Sequence, residues 1–218
     1  FKKDNRGDVI VLSNNKHSLT LTKEEDSNRD KLIKRIVQLG YDHVVEEAAY
    51  TWFNRIIAIR FMEIHDYLPL TIDNQSLGIR VLSSIDGNSP DILKFSNISR
   101  SDLDIDLKQD YFVNLKNENE KFKYVLIQIC KKLAKVIPQV FGGETDYIDL
   151  LIPDNLLLDG NFIYNLIKNI PSSYFDKVEI IGWLYQYYNQ SEKDRVISAK
   201  KVYKKHEIAY ATQLFTPD

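Results

Sequence analysis

A mainly α, irregular multi-helix domain with a short β-hairpin at its N-terminus is the fold class this sequence predicts. Three observations carry that expectation. The longest apolar-rich run, Tyr41 to Pro69, has helical periodicity with start and stop signals at its ends. Two further stretches, Lys23 to Leu39 and Glu118 to Ile137, repeat apolar residues at three- and four-residue spacing. Short β-prone runs fall within residues 8 to 22.

Taken in order, the segment DVIVLSNNKHSLTLT places two β-prone runs around Ser13-Asn14-Asn15-Lys16, the pattern of a hairpin. A lone hairpin is marginal in water, so residues 1–22 read as an appendage that docks on the helical body or on a neighbouring molecule. Thr22 and Glu25 form a capping-box pattern ahead of Leu32, Ile33, Ile36, Val37 and Leu39, and Gly40 supplies a stop. A helix over Lys23 to Leu39 follows, paired with the next one through a short link. For that next helix Asp42 is the expected N-cap, Glu46 and Glu47 favour the positive end of the helix dipole, and Pro69 forbids continuation past Leu68. Val45, Ala48, Trp52, Ile56, Ile59 and Met62 form its apolar stripe; Ala49, Phe53, Ile57 and Phe61 widen it until little is left for solvent. Such a helix belongs at the centre, with Trp52 buried. Arg55 and Arg60 then need ion-pair partners, and Glu63 stands at helical spacing from Arg60.

Beyond Pro69 the chain reads as polar and irregular through Asp73, Asn74 and Gln75, with a break at Asp86-Gly87-Asn88-Ser89-Pro90 and a short helix from Asp91 to Phe95. Glu118 to Ile137 is expected as a helix burying Phe122, Leu126, Ile129, Leu133 and Val136, with Cys130 beside them as a small apolar residue. Connections around a short helical piece near Tyr147 to Leu151 come next, then a helix from Asn161 to Ile170 closed by Pro171. From Asp176 a second aromatic cluster, including Val178, Trp183, Leu184, Tyr185, Tyr187 and Tyr188, suggests a helix packed on several sides, with some tyrosines at an edge.

Composition narrows the function. The chain has 218 residues, 44% of them hydrophobic, enough for a substantial core. With 29 Lys and Arg against 31 Asp and Glu, the net charge of -2 supplies no global field for nucleic acid, so any DNA contact must use a local patch. One cysteine excludes an internal disulfide, and no apolar run approaches a membrane span or signal peptide, which points to a cytoplasmic location. His17, His43, His65 and His206 are scattered, so no metal site is expected; Asp102, Asp104, Asp106 and Asp110 lack the glycine and terminal glutamate of a calcium loop. Gly142-Gly143 has neither the Walker nor the dinucleotide spacing, and no Gly-x-Ser-x-Gly elbow occurs. Catalytic residues are therefore expected to be absent from this chain.

The phrases Ala49-Tyr50-Thr51-Trp52-Phe53-Asn54-Arg55, Arg60-Phe61-Met62-Glu63 and Tyr67-Leu68-Pro69 carry a resemblance. So do Arg80-Val81-Leu82-Ser83-Ser84, Ile180 to Tyr188, and Ala211-Thr212-Gln213-Leu214-Phe215-Thr216-Pro217-Asp218. In this order they resemble the N-terminal region of the PglX-type adenine-specific DNA methyltransferases of BREX phage-defence systems. The resemblance implies an intact enzyme that uses S-adenosylmethionine to methylate adenine in DNA, with the glycine-rich loop and the Asn-Pro-Pro-Tyr type motif in a catalytic domain outside this chain. It divides the chain into an appendage (1–22), a helical N-terminal domain (23–210) and the start of a connection to the catalytic domain (211–218). By the same resemblance Phe215, Thr216 and Pro217 look like the element that lines the cofactor pocket of the intact protein, and other defence-system subunits are implied as partners.

Local charge nominates the DNA contact. Lys193, Arg195, Lys200, Lys201, Lys204 and Lys205 stand against one aspartate, Asp194, in the window 193–205, with Lys131, Lys132 and Lys135 as secondary candidates. The same pattern also fits a solvated helix face. A structural module that assembles defence proteins without touching DNA is the alternative function.

Overall fold

A computed structural model describes residues 2–3, 9–10, 23–72, 75–78, 80–84, 87, 89–94, 114–142, 146–180 and 182–184. The architecture is mainly helical, as expected. Helices α1 (Lys23–Leu39), α2 (Tyr41–Ile64), α3 (Glu118–Leu133), α4 (Pro138–Phe141) and α5 (Phe162–Asn169) are joined by 3₁₀ turns at Asp91–Leu93, Asp146–Leu151 and Ser172–Asp176. α2 packs against α1, α4 and the last two of these turns, so it is the central element.

At the N-terminus β1 (Lys2–Lys3) pairs antiparallel with β2 (Val9–Ile10). The described partner of β2 is thus upstream, and the expected turn at Ser13 to Lys16 lies outside the described residues. The acidic run from Asp102 to Asp110 and the tyrosines beyond Leu184 lie outside them too.

Gly40 ends α1 and starts α2. Its amide donates to the Ile36 carbonyl at 2.8 Å, and its φ of 90° is one that a side chain would resist. In a single straight helix residues 35 and 47 would stand about 18 Å apart along the axis. Arg35 instead grips Glu47 with two hydrogen bonds, 3.2 and 2.9 Å, so the chain bends back at the glycine. Asp42 is not the N-cap. It lies inside the first turn of α2, where its carboxylate still favours the helix dipole.

α2 stops at Ile64, short of the expected Leu68. Asp66 takes a left-handed φ of 54°, and the Tyr67 amide donates to the Met62 carbonyl at 2.8 Å, the long-range bond of a Schellman closure. Tyr67 also packs near Phe61, ring centroids 6.2 Å apart, which is the apolar contact such closures use. The segment expected to be irregular is instead a hairpin, β3 (Pro69–Ile72) with β4 (Gln75–Gly78), joined by two residues, Asp73 and Asn74, which favour tight connections.

Leu32 on α1, Ala48, Trp52, Ile56, Ile57 and Ile59 on α2, and Phe122, Val125, Leu126, Ile129 and Leu133 on α3 form one core with Ile148, Ile163, Leu166 and Phe175. Several expected core positions lie elsewhere. Val44 is buried in place of Val45, Ala49 is exposed, and Val37 at the end of α1 is 80% exposed. Val136 is outside as well, because α3 ends at Leu133 and Pro138 holds Ile137 out of helical backbone before starting α4. In the second aromatic cluster Val178 and Trp183 are exposed; the 3₁₀ turn before them sends Phe175 into the core in their stead.

Candidate functional site

The residues nominated for DNA contact, Lys193, Arg195, Lys200, Lys201, Lys204 and Lys205, and for the cofactor pocket, Phe215, Thr216 and Pro217, lie outside the described residues. The secondary candidates are described. Lys131 and Lys132 are half-buried in the last turn of α3 and Lys135 is exposed just beyond it. Cations there are stabilised by the negative end of the helix dipole, a structural role that needs no phosphate.

The polar chemistry of the described chain gathers on the second half of α2. Arg60, 3% exposed, forms an ion pair with Glu63, 1% exposed, as their spacing implied. The same guanidinium donates to Ser83 Oγ at 3.1 Å and Ser172 Oγ at 2.9 Å. Glu63 in turn accepts from the Leu82 amide at 2.9 Å and the Ser83 hydroxyl at 3.0 Å. One buried pair thereby ties α2 to the Val81–Ser83 segment and to the turn holding Phe175, whose ring lies 5.9 Å from the Arg60 guanidinium. His65 completes the knot through a 2.8 Å hydrogen bond between Nε2 and the Phe175 carbonyl.

One turn earlier, Arg55 reaches the other side of the core. It pairs with Asp149 at 3.1 Å and donates to the Phe141 carbonyl at 3.1 Å. The Trp52 indole N–H donates to the Ile148 carbonyl at 3.3 Å, and Arg55 stands 5.1 Å from that ring. A third link joins α1, α2 and the Asp146–Leu151 turn: Glu47, held by Arg35, accepts from the Tyr147 hydroxyl at 3.2 Å. Arg55 and Arg60 each bury their charge against a carboxylate, the arrangement in which a buried ion is tolerated, while the Arg35–Glu47 pair is partly open to solvent.

Arg55, Asp149, Cys130, Lys131, Ala134, Phe141 and Gly142 line a cleft of about 150 Å³. That volume is below the roughly 300–1,000 Å³ of ligand pockets. Cys130 is inert there, since burial pushes its thiol up to about 12. Among the described residues no group of three or more His, Cys, Asp or Glu could hold a metal ion, and no helix is long and apolar enough to cross a membrane. Glu63 was legible as the partner of Arg60, whereas Ser83, Ser172 and Asp149 carry no local signal, because each meets α2 across a long loop of chain.

No protein-family model matches the chain. It is similar in sequence to the adenine-specific methyltransferase BrxX of Escherichia coli O9:H4 (strain HS), 35% identical over 195 residues, which covers 87% of this chain and 15% of that protein. It is also similar to the adenine-specific methyltransferase PglX of Lacticaseibacillus casei (strain Zhang), 33% identical over 222 residues, which covers 92% of this chain and 18% of that protein. The chain is thus homologous over most of its length to proteins bearing these names, and it spans less than a fifth of the length of the curated relatives it matches.

Proposed function

From this kinship with adenine-specific methyltransferases we propose that the chain is the helical N-terminal domain of a site-specific adenine DNA methyltransferase in a phage-defence or restriction-modification system. The observation that carries the reading is similarity at 33–35% identity across most of this chain but only 15–18% of each relative, the pattern of one domain within a much larger enzyme. The intact enzyme transfers a methyl group from S-adenosylmethionine to adenine in DNA, after extruding the base from the duplex. The Arg55 cleft does not fit that cofactor in size. Phe215, Thr216 and Pro217 supply one wall of the cofactor pocket in the intact enzyme. The isolated chain neither binds S-adenosylmethionine nor methylates DNA; micromolar cofactor binding in calorimetry would refute this.

The domain's task is support of the catalytic domain and contact with DNA phosphates through Lys193, Arg195, Lys200, Lys201, Lys204 and Lys205. Replacing Lys200, Lys201, Lys204 and Lys205 by Gln in the intact methyltransferase should weaken DNA binding and flatten its salt dependence, with little change in sequence preference. Unchanged affinity and an unchanged salt slope would remove DNA contact from the domain. The exposed Tyr174, Val178 and Trp183 then favour the second reading, an assembly module for other defence proteins.

A further inference from the structure

We draw no further inference here: the strongest candidate, the cleft of about 150 Å³ between the end of α3 and Gly142, has as its buried charged lining Arg55 and Asp149, which are bound to each other and belong to the ion-pair network already described.

Discussion

The two halves of α2 differ in how far they are enclosed. From Trp52 to Glu63 the helix is enclosed and even its arginines are buried; from Tyr41 to Ala49 every fourth residue faces solvent. The enclosed half is the more apolar and carries the larger side chains, but its two arginines need more than that. The second half is met by Ser83, Phe141, Ile148, Asp149 and Ser172, all distant in sequence, and these supply the acceptors and donors without which Arg55 and Arg60 could not be buried. The first half is met chiefly by α1 and by Tyr147, along the line of Glu47. A helix face is core only where long-range elements arrive to cover it.

The largest expected effect that probes this contrast is Trp52→Ala. It removes a buried ring together with the hydrogen bond to the Ile148 carbonyl and should cost about 3–5 kcal/mol in chemical denaturation. A variant melting within a degree or two of the parent would mean that α2 is not the centre of the fold. Glu63→Gln should follow closely. It leaves the Arg60 charge buried without its counter-ion, a loss of about 3 kcal/mol, while the amide oxygen can still accept from the Leu82 amide. Full stability in that variant would show that water reaches Arg60.

A smaller effect concerns Cys130, which flanks the enclosed half. Burial raises its thiol from 9.0 to about 12, so the folded chain keeps a proton that the unfolded chain releases at lower pH. The stability this contributes is fully present below about pH 9 and is lost as pH rises from 9 towards 12, on the order of 1 kcal/mol per pH unit. Comparing parent with Cys130→Ala isolates this slope from those of tyrosines and lysines that titrate in the same range. Parallel stability curves above pH 9 would place the thiol in contact with solvent.

Much of the fold was legible because its signals are local. Gly40 and the apolar spacing set the bounds of α1, and Asn161 and Pro171 bracketed α5. The i to i+3 spacing alone pairs Arg60 with Glu63. The hairpin at Pro69–Gly78 departs from the irregular segment that its polar residues suggest, because the alternation of Leu70 and Ile72 about a two-residue polar link is itself a hairpin pattern. Val44 and Val45 could not be told apart, because which of two adjacent valines points inward depends on the bend at Gly40 and on where α1 lands. The partners of Arg55 were unreadable for the same reason, since Phe141 and Asp149 lie 86 and 94 residues away. The basic window and the Phe-Thr-Pro element were legible as patterns of charge and resemblance, and both fall outside the described residues.

The smallest effect is the sharpest test of the contrast. Val44 is fully buried and Val45 is 40% exposed, so the same substitution at neighbouring positions should separate widely. Val44→Ser puts a hydroxyl in a packed site and deletes a methyl group, and should cost about 2 kcal/mol or more in the 218-residue chain. Val45→Ser exchanges solvent-facing atoms and should stay within about 0.5 kcal/mol. Equal losses at the two positions would mean that the first half of α2 is rotated or covered in the isolated chain.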